Sequence, residues 1–281
     1  MITVTGATGN VGSGVVARLR ELGEDVRAVV PPGEAPPWLP EDGLEIFEAT
    51  FDDPDAIERA ARGAKAYFLM SPPHERQIEW QRTQVAAAVR AGVSRVIKLS
   101  SYEAAPDSGW NMGRWHWDGE LALLQSGLPH AILRPQYFQE NLLLAVDRFR
   151  AGRLPTYIPT GRPVGAVHAG DVSDVAATLL TRGELNGQIV VPTGPEAITT
   201  ADAAAAVAAA LGIPVEVEYR DPEQAREELS GRPGWFVDDL ISICQFCSAE
   251  VNDVVRTITG HPARPIADIA RSRLSDGQAA A

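Results

Sequence analysis

The sequence predicts an α/β fold, a doubly wound (Rossmann) parallel sheet with a smaller C-terminal α/β region that caps a substrate. Three observations predict it. Short apolar runs alternate with longer amphipathic stretches through about the first 135 residues, as strands and crossover helices do in a parallel sheet. The first strand runs straight into Thr5-Gly6-Ala7-Thr8-Gly9-Asn10-Val11-Gly12 and an amphipathic helix, Val11 to Leu22. That order builds a dinucleotide phosphate site. Gly23, Gly63, Gly92 and Gly127 each follow a helical stretch, where a glycine ends a helix.

Taken in order, strands are expected near 2–5, 25–30, 44–48, 65–70, 94–100 and 129–134, with helices near 11–22, 53–62, 75–91 and 114–127. These make residues 1–135 the dinucleotide-binding core. Pro31 to Gly43 is too rich in proline for a helix or central strand and is expected as a loop where the adenosine ribose would lie. Residues 136–273 form the mainly substrate-binding region, with some elements returning to the core. It carries helices at 138–151, 171–182 and 200–211, strands at 187–192 and 214–219, a long helix at 235–258 and a short one at 265–273. The alanine-rich stretch is helical by propensity and is closed by Leu211 and Gly212. The tail, 274–281, is expected to be flexible.

A chain of 281 residues with 45% apolar content buries a full core. Its formal net charge of −12 disfavours a grip on nucleic acid, which needs cations at the phosphates. No apolar run is long enough to span a bilayer, and the chain begins at once with a strand, so a cytoplasmic protein without membrane contact is expected. Cys244 and Cys247 are the only cysteines. They are read as buried thiols on one helical face, because a structural zinc site needs two further ligands.

Ligands of open α/β sheets bind beyond the carboxyl ends of the strands. After the first strand, Gly6 makes the tight turn, Gly9 admits the pyrophosphate and Gly12 lets helix and sheet pack closely. With Thr8, Asn10 and Val11 at the helix start they form the expected phosphate cradle. Asp52, Met70, Ser71, Pro72, Ser100 and Ser101 follow later strands and are further cofactor contacts. Tyr102 and Tyr137 also follow strand ends, as candidates to hydrogen-bond a substrate oxygen. Trp110 and Trp115, near Met112 and Trp117, and Phe138 are candidates for the wall of a flat substrate. The second strand ends Val29-Val30-Pro31-Pro32, offering neither an acid for a ribose 2′-hydroxyl nor an arginine for a 2′-phosphate. The expectation is NAD(H) or NADP(H) with a slight lean to NAD(H), with Arg27 or a residue from elsewhere left as the candidate cation for a 2′-phosphate.

These features resemble the NmrA-like branch of the atypical short-chain dehydrogenases, which includes quinone and triphenylmethane reductases and a non-catalytic redox-sensing regulator. The resemblance spans nearly the whole chain. It is carried by the glycine turn, Lys98-Leu99-Ser100-Ser101, His116 to Glu120 ahead of Ser126-Gly127-Leu128, Leu133-Arg134-Pro135 with Phe138 and Asn141, Asp171-Val172 to Val175-Ala176, and Thr259-Gly260. The wider superfamily does its proton chemistry with a Tyr-x-x-x-Lys pair. Here those positions fall near Arg114 and Asp118, so a simple ketone lacks its acid. A conjugated acceptor such as a quinone or enone needs less.

The resemblance therefore implies an NAD(P)H-dependent oxidoreductase passing hydride to a planar conjugated small molecule, as a monomer or homodimer. His116 leads as proton donor, because the family's quinone reductases carry histidine there and its ordinary pKa is near neutral. Pairing with Glu120, four residues on along one helix, is the competing reading. Two other functions stay open: a non-catalytic dinucleotide sensor, and an isomerase or cyclase without net redox.

Overall fold

A computed structural model describes residues 1–34, 43–143, 146–182 and 187–276. In chain order the elements are β1 (Ile2–Val4), α1 (Asn10–Glu21), β2 (Val26–Val30), β3 (Leu44–Glu48), α2 (Pro54–Ala61), β4 (Ala66–Leu69), α3 (Gln77–Ala91), β5 (Val96–Leu99), α4 (Asn111–Gln125) and β6 (His130–Leu133). There follow α5 (Gln139–Leu142), α6 (Val146–Arg150), β7 (Arg153–Thr156), α7 (Ala169–Thr181), β8 (Gln188–Val190), α8 (Thr200–Leu211), β9 (Glu216–Tyr219), α9 (Pro222–Glu228), α10 (Gly234–Phe246), α11 (Val254–Thr259) and α12 (Ile266–Asp276).

Contacts divide the chain into two compact units. The first comprises Met1–Ser108, Met112–Pro135 and Ala169–Val191, and the second Gly109–Asn111, Gln136–His168 and Pro192–Ala281. The first holds a seven-stranded sheet in the order β3-β2-β1-β4-β5-β6-β8, parallel throughout. The order reverses between β1 and β4, where Ile2 pairs with Val26 on one side and Ala66 on the other. That is the switch point at which doubly wound sheets open a binding crevice. Strands covered on both faces read as unbroken apolar runs, and β1 and β4 are buried at every residue. Ile2, Leu19, Ile57, Leu69, Leu123, Ile132 and Leu133 are fully buried here, each contributing about 1.5–3 kcal/mol. α7 returns to this unit and lies close on α1: a Cβ on Gly14 would sit 2.5 Å from the Ser173 hydroxyl, which itself donates to the Val11 carbonyl at 2.9 Å.

The second unit has its own core of Leu142, Leu143, Phe149, Leu154, Val207, Ile269 and their neighbours, with a parallel pair β7–β9. Here the structure corrects several expectations. The helix expected over 138–151 is broken: α5 ends at Leu142, and Leu143 leaves helical geometry with φ −126° and ψ 36°. The long helix expected over 235–258 is two helices, because Ser248 and Asn252 take backbone amides of Glu250 and Val254 onto their side chains, an alternative to the helical ladder. α12 runs to Asp276, three residues beyond its expected end. β7 and α9 were not expected. Residues 35–42 of the proline-rich loop and 277–281 of the tail lie outside the described residues.

Candidate active site

The turn after β1 is built from backbone. Gly6 has φ +62°, and a Cβ there would lie 2.5 Å from Met70 Sδ. On Gly12 a Cβ would lie 2.0 Å from the Gly6 carbonyl oxygen. Gly9 differs, since its Cβ would meet only Gly6 O at 3.4 Å and Met70 Cε at 3.8 Å, ordinary contacts. The protein's own packing demands glycine at 6 and 12 but not at 9. Gly9 caps α1 without a side-chain hydrogen bond, so the first-turn amides of Asn10, Val11 and Gly12 have no partner inside the helix. A diphosphate fits a cradle of this kind, which joins unpartnered helix-start amides to a glycine whose side-chain space the fold leaves open.

From this turn a chain of polar side chains runs inside the first unit. Thr5 Oγ1 meets Gln84 Oε1 at 2.9 Å and accepts the Met70 amide at 3.0 Å. Gln84 donates to the Met70 carbonyl at 3.2 Å, and Gln81 donates to the Ser71 hydroxyl at 3.2 Å. Gln81 also lies 3.5 Å from His116 Nδ1, and Gln77 Nε2 lies 3.3 Å from His116 Nε2. The chain ends on Lys98, whose Nζ is 3.2 Å from His116 Nδ1 and 3.2 Å from the Leu99 carbonyl oxygen.

Lys98 is 0% exposed. Burial pulls its pKa down to about 7; Glu120 opposes that fall and Arg134 adds to it. His116 is half-buried, and desolvation, then Lys98, then Arg134 hold its pKa well below the usual histidine value. The expected His116–Glu120 pairing is corrected. Glu120 accepts Arg134 Nε at 2.9 Å and Nη2 at 2.5 Å, together with the Ser100 hydroxyl. The guanidinium fork of Arg134, just after β6, matches a carboxylate at two points, which an imidazole cannot do. Neither position of the missing tyrosine–lysine pair supplies an acid: Arg114 donates to the Ser108 carbonyl, and Asp118 pairs with Arg82 at 2.9 Å.

The other expected contacts lie in both units. Pro72 is exposed and Thr8 half-buried. Asp52 already accepts Arg76 and Trp80 Nε1, each at 2.6 Å. Ser101 donates to the Tyr102 carbonyl at 3.0 Å; Tyr102 itself is half-buried, and Glu103 after it has φ 58°. Arg27 is not a free cation for a 2′-phosphate, because it donates to Glu45, Ala60 O and Arg62 O, each at 2.8 Å. Trp115 lies half-buried on α4 in the first unit. Trp110, Tyr137 and Phe138 belong to the second unit. Trp110 is 6% exposed, Phe138 bridges Val167, and the Tyr137 hydroxyl lies 3.7 Å from Cys244 Sγ.

Sequence reasoning missed Lys98, Arg134 and the glutamines as chemistry. Signals for them were present: one cation inside the apolar run Val96-Ile97-Lys98-Leu99, and glutamines at 77, 81 and 84 on one helical face.

The NmrA-like family model matches residues 1–258. The chain is 30% identical to an NAD(P)H azoreductase of Xenophilus azovorans over 97% of each chain. It is 32% identical to the (4-alkanoyl-5-oxo-2,5-dihydrofuran-3-yl)methyl phosphate reductase of Streptomyces griseus subsp. griseus, over 95% of this chain and 96% of that one. The fold matches the NADPH-dependent quinone oxidoreductase of Escherichia coli, solved with NADPH, with a TM-score of 0.83 at 22% identity over 97% of this chain and 99% of that one. A glycine cradle at the switch point, a matching family model and two full-length relatives agree: this chain belongs to the NmrA-like family.

Proposed function

We infer that this protein is an NAD(P)H-dependent oxidoreductase that reduces a planar, conjugated small molecule. The observation that carries the reading is Gly9, the one glycine of the turn that the fold itself does not require. Full-length relatives named as reductases support it. The nicotinamide, when bound, supplies the hydride. The chain supplies position, a dry surface and a proton.

In this reading Gly6, Thr8, Gly9, Asn10, Val11 and Gly12 hold the diphosphate. Met70, Ser71, Pro72, Ser100 and Ser101 hold the nicotinamide half, and Asp52 the edge by β3. Trp115 offers an aromatic contact, Tyr102 a hydroxyl, and His116 the proton. Tyr137 is left out, its hydroxyl being turned to Cys244. NAD(H) is the preferred form, for two reasons. Arg27 is engaged elsewhere, and the Glu48 carboxylate accepts the Gly33 amide at 3.1 Å just beyond β2, where a 2′-phosphate would meet a like charge.

The test is loss of absorbance at 340 nm with a panel of quinones, enones and azo dyes. Turnover is expected with NADH at least as well as with NADPH. Gly9→Ala is expected to weaken nucleotide binding at least about tenfold while leaving the unfolding midpoint unchanged, since its Cβ has room in the fold. No saturation with any of the four nicotinamide nucleotides would overturn the reading, and product formed without net oxidation would move it to an isomerase.

A further inference from the structure

Of the 25 basic residues in this chain only two, Lys65 and Lys98, are lysines. Lys65 forms an ion pair with Glu24 at 2.6 Å and is half-exposed. Lys98 is fully buried on a central strand, where a cation is costly unless it is paired and hydrogen-bonded. An arginine there would stay charged at any working pH, whereas a lysine can give up a proton.

The fold makes room for it. A Cβ on Gly119 of α4 would lie 1.7 Å from Gln81 Oε1 and 3.0 Å from Lys98 Cε. With glycine at this point, the lysine stem passes under the helix and its ammonium reaches His116 Nδ1 at 3.2 Å. An ammonium donates, so Nδ1 accepts and the ring proton sits on Nε2. Gln77 agrees with this form: its buried Oε1 lacks a partner while its nitrogen lies 3.3 Å from His116 Nε2. Exchanging the two ends of that amide satisfies the oxygen with the Nε2 proton.

We propose, building on the reductase reading above, that Lys98 is a positioning residue that fixes His116 with its proton on Nε2 and refills Nδ1 as that proton leaves for the reduced acceptor. The step balances. Hydride brings the acceptor two electrons and one hydrogen, and the resulting anion takes the Nε2 proton, displacing Gln77 as its hydrogen-bond partner. Nδ1 takes a proton from Lys98 Nζ, so the ring ends neutral and Lys98 ends as an amine; a solvent proton on Nε2, with return of the Nδ1 proton to Nζ, restores the starting state.

This order suits the electrostatics. Among the described residues, the charged groups acting on the pair are Glu120 from α4 and Arg134 from just after β6; the polar neighbours Gln77 and Gln81 come from α3, Ser71 from after β4 and Ser100 from after β5. Desolvation with Lys98 and Arg134 nearby disfavours a standing imidazolium. Lys98, held near 7, keeps a proton that it is able to release.

The test compares wild type, Lys98→Met and Lys98→Arg. Nitrogen-15 spectra of the His116 ring, taken on the full chain without nucleotide, are expected to show the Nε2-protonated form below about pH 7 in wild type and in Lys98→Arg, and to lose that preference in Lys98→Met. With a quinone acceptor, kcat is expected to fall on the order of 100-fold in both variants with KM little changed. The alkaline limb of the wild-type kcat profile near pH 7 is expected to vanish in both. An Nδ1-protonated ring in wild type overturns the proposal even if neither variant folds, as does an unchanged ring form and pH profile in Lys98→Met. Should wild type reduce no acceptor, the reductase reading fails while the ring spectra still decide the lysine–histidine couple.

Discussion

Each unit buries a cluster of titratable side chains, and the two clusters behave in opposite ways. In the second unit Tyr137, Cys244 and Cys247 are all acids, and burial pushes every one toward its neutral form, Cys244 to about 12. They behave as packing groups, and both cysteines are free thiols. In the first unit Lys98, His116, Glu120 and Arg134 mix two cations, one anion and a ring whose charged form is disfavoured. Burial there leaves a lysine poised near neutrality. Burial disfavours the charged form in both units; it moves the acids further from neutral pH and silences them, and it brings the lysine down from above into working range.

The largest effect that would break this contrast is expected from Glu120→Gln. Its side chain is 1% exposed beneath an arginine that is 16% exposed, and losing one partner strands the other cation. Urea denaturation at neutral pH is expected to show a loss of about 3–5 kcal/mol. A loss near zero would mean that the carboxylate does not balance the cluster.

Lys98→Met sharpens the contrast through pH. Lys98 titrates near its ordinary 10.5 in the unfolded chain and near 7 in the fold, so between those values the unfolded state binds more protons. Wild-type stability therefore rises with pH across that window, by up to about 1.4 kcal/mol per unit from this group. Methionine removes the slope. The advantage of Lys98→Met over wild type is expected to be greatest below pH 7 and to shrink toward pH 10.5, as measured by denaturation at a series of pH values. A difference independent of pH would contradict the buried-cation assignment.

The smallest effect is expected in the second unit. Cys244→Ala should cost about 1 kcal/mol by lost packing, with the same cost at pH 6 and pH 9. A disulfide reagent should label the native thiols only as fast as the chain opens. Rapid labelling at pH 8 would show that the two clusters are not opposites.

What could be read in the sequence follows the same divide. The parallel sheet and its glycine turn were legible because apolar runs and glycines report local backbone requirements directly, and β1 through β6 lie where those runs are. β7 was hidden by Pro155, which a short two-stranded pair tolerates. α9 carried a readable start, Asp221-Pro222 with Gln224 closing a capping box, and was overlooked. The break between α10 and α11 rests on side chains taking backbone amides in a stretch without proline or glycine. His116 was legible as a candidate. Its partner was not, because helix spacing pointed to Glu120 while the contact that matters comes from a strand eighteen positions earlier in the chain.

Gln81, Lys98 and Gly119 occupy one small volume, so they are free to drift only in concert. Even an alanine at 119 collides with Gln81, and shortening Gln81 first cuts the link to Ser71. A tyrosine–lysine pair grafted onto α4 at Arg114 and Asp118 leaves Gly119 in place, so the strand lysine can be kept beside it or removed as a separate step.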